Sequence, residues 1–339
     1  METGDAPDEA YRDAILGELD SRAAAFPGRL VSIYLGGGTP SLWRADCIAE
    51  VVRAIASRWP HDELEVTIEA NPTDVTPANL AAWREAGIGR VSIGVQSLAP
   101  AELVALGRDH RFGDGPAAIE HALAAGGFRV SADFILGTPP RRPHVWAPPI
   151  TNVDHLSVYE LTIEERTVFG QRVRAGSLVP LPDDELAEMY TQTHDALTAA
   201  GFEHYEISSY ARPGRRAVHN SLYWRGRAFL GLGTGAASLE LHADGTAVRA
   251  TNPRRAQAYM AGVPAEVTTI GASEMALDRV WLGLRTSDGV AAADLAHLPE
   301  IVDWLVSEKL AVAEEGRICP TLRGFLFADG IASRIVQAW

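Results

Sequence analysis

Short apolar runs alternate with longer segments of helical periodicity through the first half of the chain. Apolar positions recur at helical spacing over 8–24. The run LVSIYL (30–35) reads as a strand, 45–58 as a helix and LEVTIEA (64–70) as a second strand. A helix over 77–86 follows, with Thr76 as its N-cap and Pro77 at its first position. The pattern continues with a strand at 91–95 (VSIGV), helices at 100–106 and 116–125, and strands at 130–136 (VSADFIL) and 155–162 (HLSVYELT). Strands that alternate with helices build a parallel sheet flanked by helices. Right-handed crossovers curl such a sheet into an open or closed barrel. The expected fold is α/β: a parallel barrel that starts at LVSIYL, with five successive strands in the first half and the helix at 8–24 over part of its open edge. One crossover departs from the pattern. Pro139, Pro140, Pro148 and Pro149 crowd the stretch before HLSVYE, so an irregular connection is expected there rather than a helix.

The second half is less regular. An amphipathic helix is expected over 183–200, ended by Gly201. FEHYEISSYA (202–211) reads as one strand, and the glycine-rich 222–238 as loops near a site. From about Ser273 the order helix, helix, turn, short hairpin and final helix suits a small winged-helix unit. The expected division is 1–165 for the barrel, 166–270 for its extension and 271–339 for the tail.

Composition narrows the possibilities. A chain of 339 residues suffices for one large domain and a small one. Hydrophobic residues make up 47% and charged ones 22%, the balance of an ordinary globular protein. The formal net charge of −14 argues against a nucleic-acid partner. Within 299–317 of the tail, acids outnumber bases, so the winged-helix-like unit has no basic footprint. The short basic groups at 141–142 and 212–216 read as solvated loops. No apolar run is long enough to span a bilayer. The acidic, polar start resembles neither a signal nor a transit peptide, so a cytoplasmic location is expected. The two cysteines, Cys47 and Cys319, lie far apart and build neither a disulfide framework nor a cysteine-only metal site. Both read as small core residues.

Polar residues gather at the ends of the expected strands. The first strand runs into Gly36-Gly37-Gly38-Thr39, the second ends at Glu69, the third at Gln96, and Asp133 lies in the fourth. Arg108 follows the third strand in LGRDH, beside His110, which reads as a hydrogen bonder at the site. Parallel barrels bind ligands at the C-terminal ends of their strands. A glycine cradle, two carboxylates, an amide and an arginine there suit a ligand with an amine, a carboxylate and a ribose. Glycine carbonyls and Glu69 would take the amine, Arg108 the carboxylate through its fork, and Gln96 and Asp133 the sugar. Taken singly, each has a plainer reading: a tight turn for the glycines, a buried carboxylate at a helix N-terminus for Glu69 or Asp133. Their common placement favours a site.

GGGTPSL, EANP, RVSIGVQS, LGRDH, DFILGTP, HLSVYELTIE and HNSLYW together resemble the HemW-type heme chaperones, over nearly the whole chain. These are radical S-adenosylmethionine proteins related to the oxygen-independent coproporphyrinogen III oxidase HemN. The resemblance implies a partial (β/α)₆ TIM-like barrel with a small winged-helix-like tail. It implies adenosylmethionine at Gly37, Gly38, Thr39, Glu69, Gln96, Arg108 and Asp133. It implies heme at His219, Tyr223 and Trp224, where the residues alone suggest structural packing as readily. HNSLYW points to the chaperone rather than to the oxidase. Heme-receiving proteins, and a second copy of the chain, are the partners it suggests. In three places the sequence departs from the family. The strand bearing CxxxCxxC, whose thiolates bind a 4Fe-4S cluster, is absent from it. The crossover after GTPP is short and proline-broken. A cysteine and a histidine of the family are replaced by Thr234 and Ala237. The chain as written is therefore expected not to assemble the cluster; a heme-binding protein without cluster chemistry and an oxygen-independent coproporphyrinogen III oxidase-like enzyme are the alternatives.

Overall fold

The computed structural model describes residues 8–108, 111–139, 144–165 and 167–339. The barrel part contains α1 (Asp8–Arg22), β1 (Ser32–Leu35), α2 (Ala45–Ala56), β2 (Glu65–Ala70), α3 (Pro77–Glu85), β3 (Arg90–Gln96), α4 (Pro100–Ala105), α5 (Asp114–Ala125), β4 (Arg129–Leu136) and β5 (His155–Glu160). It continues through α6 (Val168–Arg174), α7 (Asp183–Ala199), β6 (Glu203–Glu206), β7 (Ser209–Ala211) and α8 (Val218–Trp224). Strands β8 (Ala237–Leu241) and β9 (Ala247–Thr251), helix α9 (Ala256–Met260) and strand β10 (Glu266–Ile270) follow. The tail holds α10 (Ala272–Gly283), β11 (Val290–Ala291), α11 (Pro299–Ser307), β12 (Ala311–Glu314), β13 (Arg317–Pro320), α12 (Leu322–Leu326) and α13 (Ala328–Ala338).

The main sheet runs β1-β2-β3-β4-β5-β7-β6. Its first five strands are parallel, with Ser32 opposite Glu65 and Asp133 opposite Ser157. Alternation along these strands separates two faces. Ile33, Ile68, Val91, Ile93, Ala132, Phe134 and Leu156 point outward into one core, against Ile48 of α2, Leu80 and Trp83 of α3, and Ile119 of α5. Burying each large side chain there contributes roughly 1.5–3 kcal/mol. Thr76 caps α3 as expected, accepting from Asn79 N at 3.2 Å. The connection from β4 to β5 is irregular, as the prolines foretold: its described residues hold only a 3-10 turn at Ile150–Asn152. Pro140 and the basic pair at 141–142 lie outside the described residues.

Three expectations need correction. The run 202–211 is not one strand but a hairpin, β6 against β7, with Glu203 opposite Ala211. It continues the sheet antiparallel, since β7 pairs β5. No glycine or proline announces the turn; Glu206 makes it by accepting from Ser208 N at 3.2 Å. The open edge of β1 is flanked by α8 rather than by α1, which packs on α2 and α9. The stretch 222–238 is also more regular than expected: α8 runs to Trp224, and β8 starts an antiparallel sheet, β10-β9-β8, that sequence reading missed. Its glycine loop is fastened to α1, not to a ligand site. Glu18 accepts from Gly233 N (3.0 Å), Asn252 Nδ2 (2.8 Å) and Tyr259 OH (2.7 Å). The tail matches its expectation, with helices around a small β11-β13-β12 sheet.

Glu206 yields a pH test. Burial pushes its carboxyl from 4.5 up to about 7. A raised acid stabilises the fold fully below its unfolded value and loses that contribution as pH climbs through its folded value. The parent chain is therefore expected to lose about 3 kcal/mol between pH 4.5 and 7 through this group. Glu206→Gln removes the titration. Unfolding of the two proteins at pH 5 and pH 8 should show the variant gaining on the parent at the higher pH; parallel pH profiles would reject the assignment.

Candidate functional site

The inner faces of β1–β5 are polar, and they enclose a cavity of about 250 Å³ at the mouth of the barrel. Gly38, Thr39, Glu69, Gln96, Arg108 and Asp133 all line it, so most of the residues expected at one site do converge. Gly37 does not line it. Its N–H instead donates to Glu69 Oε2 at 3.0 Å, while Tyr34 OH donates to Glu69 Oε1 at 2.6 Å. Burial, and then the Glu69 and Asp133 carboxylates, push the Tyr34 phenol far above its ordinary value and keep it a donor. The glycine triplet follows from this packing. A Cβ on Gly36 would sit 2.4 Å from the Tyr34 ring, and Gly37 and Gly38 have φ of 78° and 64°, the left-handed region that glycine enters without strain.

The third strand end is shaped by an irregularity. Gln96 has φ 64° and breaks the register of β3 with β4. Its amide folds back over the strand: a Cβ on Gly94 would stand 2.7 Å from Gln96 Nε2. Left-handed backbone at a non-glycine residue is a cost that persists where the surroundings fix it, commonly at binding sites. Arg108 is delivered by a helix stop. At the end of α4, Gly107 (φ 65°) donates to Val104 O and Arg108 N donates to Leu103 O, the paired bonds of a Schellman turn. The guanidinium then stands at the cavity with no hydrogen bond or ion pair among the described residues. His110 lies outside the described residues.

Deeper in, Ser92 Oγ donates to Asp133 at 3.0 and 3.3 Å. Burial pushes the Asp133 carboxyl up, while Ser157, the Arg90 cation and Ser92 pull it down. Arg90, only 3% exposed, lines the same cavity as Ser157, Tyr159 and Asn220. These residues, with Tyr34, were missed from sequence. The signal was there: small and charged residues at every second position of RVSIGVQ and HLSVYE mark a polar inner face.

The HNSLYW residues form α8, and the structure divides them. His219 stacks on Tyr34 with ring centroids 4.6 Å apart, and its Nδ1 lies 3.0 Å from Ser32 Oγ. Tyr223 meets His219 edge-on at 5.0 Å. Trp224 lies elsewhere, in a second cavity at the seam with the tail. Burial lowers the His219 imidazole to about 4, with the Arg90 cation lowering it further and Glu65 opposing. It is therefore neutral at pH 7. Nε2 has no hydrogen-bond partner among the described residues. The glycine loop with Thr234 and Ala237 lines neither cavity. Cys47 is fully buried in α2; Cys319 is half-buried in β13, its Sγ 3.6 Å from Asp288 O. Among the described residues no group of three His, Cys, Asp or Glu side chains is placed to hold a metal ion.

Residues 3–143 match the Radical SAM superfamily, whose class the curled parallel sheet with polar strand ends suits. Within that class the chain belongs to the HemW family. It is 36% identical to the heme chaperone HemW of Escherichia coli over 267 residues, 76% of this chain and 69% of that one. It is 34% identical to HemW of Mycobacterium tuberculosis over 337 residues, 95% and 85% of the two chains. Radical S-adenosyl methionine domain-containing protein 1, mitochondrial, of Mus musculus is 42% identical over 216 residues, 61% of this chain; the match spans about half, 48%, of that relative. Among solved structures, coproporphyrinogen III oxidase (HemN) from Escherichia coli aligns with a TM-score of 0.76 over 98% of this chain and 84% of that one. At 20% identity that likeness shows the fold. Among the described residues no helix is long and apolar enough to cross a membrane.

Proposed function

We propose that this chain is a heme-binding protein of the chaperone type, which carries heme on α8 and passes it to acceptor proteins in the cytoplasm. The observation that carries this reading is His219. Its ring is neutral, held at Nδ1 by Ser32 and without a partner at Nε2 among the described residues, the state in which imidazole serves as an axial ligand. Tyr223 supplies an aromatic face beside it. The barrel-mouth cavity is the place we assign to adenosylmethionine: Glu69 and the glycine loop would take its amine, Arg108 its carboxylate, and Gln96 and Asp133 its ribose. When bound, it supplies a reactive sulfonium; the residues named bind and orient it. A 4Fe-4S cluster of this family takes three thiolates from one short loop, and neither Cys47 in α2 nor Cys319 in the tail fits that role. That misfit favours, as a second reading, heme binding without cluster chemistry from this chain's own residues.

Hemin titration tests the heme assignment. His219→Ala is expected to lose the Soret shift that the parent chain shows. Identical spectra for the two proteins would assign His219 to structure.

A further inference from the structure

The second cavity, of about 380 Å³, lies between the end of α8, helix α10 and the β11–β13 corner of the tail. In a chain of net charge −14, five arginines line it: Arg216, Arg225, Arg227, Arg279 and Arg317. Three are committed to the protein. Arg216 and Arg225 converge on Asp288 at 2.9 and 3.2 Å. Arg317 donates to the backbone oxygens of Asp288 (2.7 Å) and Gly289 (2.9 Å). The side chains of Arg227 and Arg279 have no hydrogen bond or ion pair among the described residues. They approach from different elements, one just after α8 and one on α10. A Cβ built on Gly226, next to Arg227, would lie 3.3 Å from Arg279 Cγ. Asp294, the other acid of the lining, is exposed. Asp288 is already shared by two guanidiniums, so the acids do not balance the cations.

We infer that this seam cavity is a binding site for a ligand with two closely spaced anionic groups, gripped by Arg227 and Arg279, with Trp224 against its apolar part. Arg227 and Arg279 are exposed at the mouth of this concavity, and two neighbouring guanidiniums with no counter-ion among the described residues favour a dianion. Each planar fork matches a carboxylate or phosphate with two parallel N–H donors. The flat indole of Trp224 suits a ring attached to those groups. The paired propionates of a porphyrin and a diphosphate share this chemistry. The site stands apart from His219, so it does not depend on the heme assignment.

Inorganic pyrophosphate is the probe, followed by calorimetry on the full chain, with potassium chloride matched in ionic strength as control. The parent chain is expected to bind it, and Arg227→Ala/Arg279→Ala to bind about tenfold to a hundredfold more weakly. Neither side chain holds the fold together, so the variant should melt with the parent. Arg227→Lys/Arg279→Lys keeps the charge without the forks and should fall between. Displacement of pyrophosphate by hemin, but not by hemin dimethyl ester, names porphyrin carboxylates as the ligand. Displacement by neither names a phosphate. No binding to the parent, a response reproduced by potassium chloride, or unchanged binding to the double alanine variant would each overturn the inference.

Discussion

Arg108→Ala is expected to weaken adenosylmethionine binding about tenfold to a hundredfold, without changing the melting temperature. The two halves of that expectation have one cause. The Arg108 side chain makes no hydrogen bond or ion pair among the described residues, so the fold does not depend on it. The ligand does. In the proposed site its carboxylate would enter a cavity that already holds Glu69 and Asp133, so without a facing cation it would meet repulsion as well as a lost partner. Arg90 does not replace Arg108: it is buried among the inner-face residues, where its charge offsets Asp133. Arg108→Lys keeps a charge but not the bidentate fork, and should lie between parent and alanine variant. Calorimetric titration of the three proteins decides; an unchanged isotherm for Arg108→Ala would remove Arg108 from the site.

The barrel was legible because its strands are short, apolar on one face and separated by helices with clear stops. The cavity was legible because each strand end carried a residue of unusual type. What escaped had weaker local signals. The hairpin at Glu206 turns on a side-chain bond, with no glycine or proline to mark it. The β8–β10 sheet runs through AVRAT and EVTTI, where Arg249, Glu266, Thr268 and Thr269 are exposed and interrupt any apolar run. The division of HNSLYW between two sites was invisible for another reason. On a helix, residues five apart point in different directions; His219 faces β1 while Trp224 faces α10, and only the placement of α8 assigns those neighbours. The seam cavity draws its arginines from segments on either side of residue 270, and such a convergence has no spacing to read.

Glu65→Ala should be among the most damaging single changes in the molecule, lowering stability by about 3–5 kcal/mol. Glu65 has a side chain only 4% exposed, at the start of β2. One oxygen accepts from Arg129 Nη1 at 3.1 Å and from Val218 N at 3.2 Å; the other accepts from His219 N at 3.0 Å. Helix α8 has no cap from its own N-cap residue, Ala217. A carboxylate distant in sequence therefore satisfies its first N–H groups and faces the positive end of its dipole. Alanine would leave those donors without that acceptor and Arg129 without its counter-ion, with Arg216 O at 3.0 Å as its remaining partner among the described residues. Breaking one side of a buried pair costs far more than the pair contributes net, because the remaining charge stays desolvated. The expected result is a fall of roughly 4–7 °C in the melting temperature, with little rescue by added salt, since buried pairs are weakly screened. Glu65→Gln keeps an acceptor for α8 but not the charge, and should fall between the two. Hemin binding supplies a second readout. Without Glu65, His219 loses the backbone anchor that sets its ring against Tyr34 and Ser32, so the Soret shift should weaken even below the melting point. A Glu65→Ala chain that melts within about 1 kcal/mol of the parent would show that α8 is held by its stacking on β1 alone.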